Sequence, residues 1–327
     1  MNIVQKLAKS KVIDCPPWLP DNVHYVTLMG SHAYAVNNKD SDKDIYGFCI
    51  PPKEEVFPSN SIIGFGKLRN GGNRFTSWQA SHLQYEGEEV DITIYNIVDY
   101  FHLLSECNPN MLDSLFTAQR CVMTQSAVAQ LVRENRRLFL SKKAWHTFKG
   151  YAYSMRNKAN NKVKDAKRYS ELKSKEDNLS QGEALELNSL SNRKRLVAVA
   201  ETDAKQDWKF LYHLVRLLDE CEQILETGDI DLMRDNARLK AIRRGEISIE
   251  QINKIFEEKE TRLEKLYNDS KLVYAPRMDE IKDLLFKCLE MHYGSIQRAE
   301  SYIEGAMKRA LAKIDEELHE VRSIIYA

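Results

Sequence analysis

Hydrophobic and polar positions follow two different rhythms along the chain. Through about residue 140 the apolar residues come in short runs, Val23 to Met29, Ile45 to Ile50 and Val90 to Tyr95, bounded by Gly, Pro, Asn or Asp. Runs of that length between turn formers predict strands. From about Ser141 proline nearly vanishes and Glu, Lys, Leu, Arg and Ala dominate. Leu211, Leu214, Val215, Leu218, Cys221, Ile224 and Leu225 recur at three- and four-residue steps, one face of an amphipathic helix that ends at Gly228. The pattern weakens over 157–206, where KSKEDNLSQGEALELNSLSNRKR is polar enough for a loop or an exposed helix pair. Ile249 to Tyr326 again predicts charged helices, broken near Tyr274-Ala275-Pro276, where the proline favours a new first turn. The expectation is an α/β (α+β) chain, a small mixed-sheet domain over 1–140 followed by an α-helical domain over 141–327.

Composition narrows the class without naming a chemistry. The 327 residues carry 48 Lys plus Arg against 48 Asp plus Glu, so no overall field draws the chain to nucleic acid or to a membrane. Any affinity for a polyanion must come from a local patch. No apolar stretch approaches the ~20 residues of a membrane span, and the first residues lack the apolar block of a signal peptide. Six cysteines, Cys15, Cys49, Cys107, Cys121, Cys221 and Cys288, are scattered without a C-x-x-C pair, as thiols of a reducing compartment. The chain reads as a soluble, cytoplasmic protein.

Candidate chemistry concentrates in Met29 to Gly47, MGSHAYAVNNKDSDKDIYG. Gly30 and Ser31 follow a predicted strand, where backbone N–H groups and the Ser31 hydroxyl can hold phosphate oxygens. Asp42 and Asp44, one residue apart at the start of an apolar run, share a face if they lie on a strand. Two such carboxylates repel unless a cation sits between them, and magnesium takes oxygen ligands of this kind. A solvated turn before a strand is the plainer reading of S-D-K-D. Asp91 interrupts a β-branched run with the parity of Thr93 and Tyr95, opposite Val90, Ile92 and Ile94. If those three pack inward, Asp91 faces the open side of the sheet. Next to the Asp42/Asp44 pair it would complete a two-metal site for in-line displacement at phosphorus.

G-S-x-A-Y, S-D-x-D and a later lone Asp on a strand resemble the nucleotidyltransferases of the DNA polymerase beta superfamily. Asp91 to Tyr95 followed by the NPNxLxxLF segment, Asn108 to Phe116, is similar to a narrower bacterial and phage branch associated with RNA repair. Lys209 to Leu218 and Ile242 to Glu246 are similar to segments of that branch. One departure stands out: the family carries Gly after its G-S-x-A-Y, and this chain has Ala35. Where that position needs a positive φ, the replacement costs about 1 kcal/mol or more.

The resemblance implies a magnesium-dependent nucleotidyltransferase using two Mg2+ ions and a nucleoside triphosphate. Asp42 and Asp44 would bind both ions, Asp91 the one beside the acceptor hydroxyl, and Gly30 and Ser31 the β- and γ-phosphates. His213 and Arg216, three apart on one helix face, would reach the nucleotide or the acceptor phosphate; alternatively Arg216 pairs with Asp219 or Glu220 and His213 is an ordinary interface residue. Arg243 and Arg244 raise the same question. His32 would hydrogen-bond backbone in the turn. The acceptor expected is an RNA 3′ end, with tRNA a candidate. Residues 142 to 170 hold nine basic side chains against the single carboxylate Asp165, interleaved with Trp145, Phe148, Tyr151 and Tyr153. That mixture suits a nucleic-acid path with base stacking, and equally a helix with an aromatic core face and a solvated lysine face. The alternatives are transfer to a protein or small molecule, or a nucleotide- or RNA-binding regulatory protein without turnover. The charge-alternating helices from Ile249 onward suit packing or self-association into a homo-oligomer.

Overall fold

The computed structural model describes residues 1–38, 41–56, 75–192, 208–294 and Ile314. Its sheet grows from the predicted apolar runs: β1 Val23–Leu28, β2 Lys43–Cys49, β3 Ser77–Tyr85, β4 Glu88–Asn96 and β5 Val122–Gln125. The strand order is β3-β4-β2-β1-β5; β2 and β4 run parallel and the remaining neighbours antiparallel. Glu86 and Gly87, both at positive φ, turn β3 into β4 as a tight hairpin.

Period two decides which side of this sheet is dry. Ile45, Cys49, Val90, Ile92 and Ile94 are buried in one apolar cluster with Val4 and Leu7 of α1, Ile3–Lys9. The other face carries Asp44, Tyr46 and Phe48 on β2 beside Asp91, Thr93 and Tyr95 on β4. Phe48 belongs to a second cluster that runs from Tyr25 to Leu289, so the sheet and the helices share a core. The parity expected of Asp91 holds.

Short helices join the strands: α2 Gly30–Ala33, α3 Lys53–Val56, α4 Ile97–Ser105, α5 Pro109–Phe116 and α6 Ala127–Glu134. The NPN segment is a helix start. Asn108 caps α5 by accepting from the Met111 N–H, and Pro109 occupies the first turn, where its missing donor is not needed. Met111, Leu112, Leu115 and Phe116 then bury, and so does Asp113.

The second half is helical as expected: α7 Lys143–Lys173, α8 Gln181–Ser191, α9 Trp208–Thr227, α10 Asn236–Arg243, α11 Ile249–Asp269 and α12 Met278–Tyr293. The polar stretch after α7 holds a 3-10 turn, Glu176–Asn178, and the single helix α8 up to Ser191; its continuation over 193–207 lies outside the described residues. So does the expected helical stretch beyond residue 294, Ile314 apart. Pro276 precedes the Arg277 cap of α12, in the linker rather than in the first turn. α9 ends at Gly228, φ +65°, as expected. Its apolar face is buried as predicted, and its polar face is buried too: Arg216, Asp219, Glu220, Glu222 and Gln223 lose nearly all exposure. The hydrophobic pattern gives no sign of this, because ion pairs cover that face. Asp219 meets Arg238 at 2.7 Å and Lys259 at 3.0 Å, and Glu222 meets Arg262 at 2.5 Å. Among the described residues no helix is long and apolar enough to cross a membrane.

Candidate active site

The parallel register of β2 and β4 sets Asp44 opposite Asp91. Asp42, immediately before β2, completes the group, and each of the three carboxylates offers an oxygen within 4.8 Å of the others. Like charges this close resist ionisation. Burial, then Asp42 and Asp91, push the Asp44 carboxyl up to about 6, while the Lys209 ammonium pulls it down. Asp91 is oriented from the far side. Two residues of β3 bulge opposite it, and the His82 N–H donates to its Oδ1 at 2.7 Å.

Gly30 lies against this group. Its φ is +55°, and a Cβ there would stand 1.9 Å from Asp44 Oδ2. Only glycine fits the position on both counts. The backbone is tied down beside it, Met29 N–H donating to the Asp44 carbonyl at 2.7 Å. Ser31 Oγ is buried without a hydrogen-bond partner, as is His32 Nε2. His32 therefore does not hold the turn through that ring nitrogen; its carbonyl does, accepting from Arg120 at 3.2 Å. Ala35 has φ +53°, so the turn holds a left-handed alanine at the position where the resemblance led to an expectation of glycine.

Tyr34 anchors the same turn to the helices. Its hydroxyl donates to Asp113 Oδ2 at 2.5 Å and accepts from Arg216 Nη1 at 2.6 Å. The same Nη1 contacts Asp113 and reaches Glu220 at 3.0 Å. Burial pushes the Asp113 and Glu220 carboxyls up, and Arg216 opposes it. The guanidinium expected to meet the nucleotide is instead 5% exposed and committed to two carboxylates and a phenol. Its pairing with Glu220 was legible in the i, i+4 spacing. Asp113, far off in the chain, was not.

The sequence model of the RNA repair pathway DNA polymerase beta family, RlaP, matches residues 3–302. The chain belongs to that family. No curated protein sequence matches it. Among solved structures, the nucleotidyltransferase-like protein from Exiguobacterium sibiricum 255-15 is similar, with a TM-score of 0.27 and 10% identity over 81% of this chain and 73% of that one.

The remaining expected residues of this RlaP family chain divide between site and scaffold. His213 is half-buried with its ring 4.6 Å from that of Tyr212, and burial followed by Arg216, Lys209 and Arg243 drives its pKa to about 2. Arg243 donates to the Val36 carbonyl at 2.9 Å and so holds the end of the turn, while Arg244 pairs with Glu246 at the surface. In the basic stretch, Trp145 and Phe148 are core residues, and Tyr153 bonds to Glu260. Lys143, Lys149 and Arg168 pair with Glu106, Glu260 and Glu186. A continuous aromatic path is therefore absent among the described residues of α7; Tyr151 is exposed, its hydroxyl accepting from Asn108. The spacing of three fitted both readings, and Trp145 and Phe148 take the core one.

Two site residues escaped the sequence reading. Lys209, in the first turn of α9, lies near enough to act on Asp44. His82 joins Glu89 and Asp91 in a second group with ligand atoms within 4.8 Å of one another. Helical spacing with Arg216 could have found Lys209; nothing local announces the bulge at His82.

Proposed function

We propose that this chain is a magnesium-dependent nucleotidyltransferase that moves a nucleoside monophosphate from a nucleoside triphosphate to the hydroxyl of an RNA 3′ end. One observation carries the reading: the Asp44–Asp91 register, which with Asp42 gathers three carboxylates against a glycine turn. Their donor set is all oxygen, the kind hard divalent ions take. The cradle at Gly30 and the unpartnered Ser31 hydroxyl beside it fit a phosphate-bearing ligand.

Asp42 and Asp44 would hold both ions, and Asp91 the one nearer the acceptor. When bound, the metals neutralise the triphosphate and lower the pKa of the acceptor hydroxyl. Gly30 lets the chain approach the phosphates without a side chain in the way, and Ser31 Oγ donates to one of their oxygens. The bulge at His82 fixes one Asp91 oxygen and leaves the other for a ligand. Arg216, Asp113 and Tyr34 keep the turn in register with the sheet. The protein thus works by positioning and charge, as phosphoryl chemistry requires.

Ala35 keeps the left-handed conformation of the turn at a cost of about 1 kcal/mol or more, and the three carboxylates gathered beside it favour turnover over binding alone. The test is label transfer from each nucleoside triphosphate to total RNA with magnesium. Asp42→Ala plus Asp44→Ala serves as the control. Label entering protein instead would redirect the acceptor and leave the chemistry.

A further inference from the structure

Past the carboxylates, the open face of the sheet continues into a row without charge. Thr93 of β4 lies opposite Tyr46 of β2 on one side and opposite Gln79 of β3 on the other. Period two puts all three on the face of Asp44 and Asp91, one step of about 6.6 Å along the strands. Tyr95 and Ser77 follow in the next row, and the rings of Tyr46 and Tyr95 meet edge-on at 6.2 Å.

The polar groups of this row are unspent. Gln79 is exposed, and Tyr46 and Thr93 are half-buried. Among the described residues none of the three makes a side-chain hydrogen bond, and neither hydroxyl is sealed in the core. In the opposite direction along β4 the same face turns acidic: Glu89 follows Asp91 and meets His82 Nδ1 at 2.6 Å. A phosphodiester strand that ends at the carboxylates is repelled by Glu89 and not by the neutral row. Two hydroxyls and an amide, which donate and accept, suit the uncharged parts of a nucleoside, its ribose 2′-hydroxyl and base edge.

We propose that the row Gln79, Thr93 and Tyr46 holds the 3′-terminal ribonucleoside of the acceptor RNA and selects RNA over DNA through the 2′-hydroxyl. The inference rests on the nucleotidyl-transfer reading and deepens it by naming where the acceptor lies. With its 3′-hydroxyl at Asp91, the terminal nucleoside spreads its ribose and base over the next row. Tyr46 and Thr93 supply hydroxyls there, and Gln79 an amide from the edge strand. The row binds and orients; no covalent bond forms or breaks at it.

The test uses the full chain with magnesium and two short single-stranded RNA probes, 5′-fluorescent and alike except for a 2′-deoxynucleotide at the 3′ end of one. Fluorescence anisotropy reads binding without turnover, and label transfer is measured in parallel. The wild type is expected to bind the all-ribose probe about fivefold more tightly, the usual worth of one neutral hydrogen bond. Gln79→Ala plus Tyr46→Phe is expected to bind both probes equally and weakly, while the thermal shift given by magnesium alone persists. Equal affinity of the wild type for the two probes would overturn the inference, as would an undiminished preference in the double variant. A wild type that binds neither probe, with label entering protein, would overturn it too. A preference that depends on the row, in a protein that transfers no nucleotide, would support the RNA site and count against the transferase reading instead.

Discussion

Gly30 and Asp44 are in contact so close that residue 30 has no room for a side chain: a Cβ would stand 1.9 Å from the Asp44 carboxylate oxygen. Two penalties separate here. A left-handed alanine costs about 1 to 2 kcal/mol, and crowding a packed site typically adds about 1 to 3 kcal/mol. Gly30→Ala is expected to lower stability by at least about 2 kcal/mol in urea unfolding and to abolish turnover. In an Asp44→Ala background the crowding is relieved, so the same substitution should cost only the backbone part. Equal costs in both backgrounds would mean that the two residues do not touch.

Asp44 stores an electrostatic penalty that pH exposes. Its carboxyl is raised to about 6 from an ordinary value of 3.8, so the folded state holds that proton more tightly than the unfolded chain does. The penalty is absent below about pH 4, grows as the pH rises to about 6 and is full above it. Without metal, Asp44→Asn should therefore melt above the wild type at pH 7.5 and with it near pH 4. Magnesium should stabilise the wild type at pH 7.5, less as the pH falls through 6, and leave Asp44→Asn unmoved.

Ala35 holds φ +53° where the resemblance led to an expectation of glycine. Returning glycine relieves the strain but adds freedom to the unfolded chain, which offsets about 0.4 to 1 kcal/mol. Ala35→Gly is expected to gain up to about 1 kcal/mol in urea unfolding and to retain turnover. A loss of stability would show that the turn prefers alanine for packing.

Arg216 is a scaffold residue, and its removal should look like one. Arg216→Met leaves Asp113 and Glu220 buried without their cation, a change that typically costs about 3 to 5 kcal/mol. Asp113→Asn keeps a partner for Tyr34 and leaves Arg216 paired with Glu220, and should cost less. If Arg216→Met unfolds like the wild type and only nucleotide binding suffers, Arg216 belongs to the ligand site after all.

Much of this architecture was legible locally. The parity of Asp91 against Val90, Ile92 and Ile94 placed it on the open face because a strand has period two. Gly228 marked a helix end, since a left-handed residue stops a helix with little strain only when it lacks a Cβ. What the sequence withheld depends on partners distant in the chain. Asp113 looks like an ordinary polar residue of a short helix until Arg216 and Tyr34 arrive from elsewhere. Trp145 and Phe148 carry the same spacing whether they stack bases or fill a core. The bulge that turns the His82 N–H onto Asp91 arises from a register shift between β3 and β4, and no residue type encodes it.

The most direct test of the account replaces the carboxylate that joins the strands. The purified chain is incubated with magnesium, each α-labelled nucleoside triphosphate and total RNA, alongside Asp91→Asn, and label at RNA ends is counted. The account predicts transfer by the wild type and loss of at least about 100-fold in the variant, roughly 2.7 kcal/mol of transition-state stabilisation. Equal labelling by the two proteins would contradict it, because the three-carboxylate group would then not be where the chemistry happens.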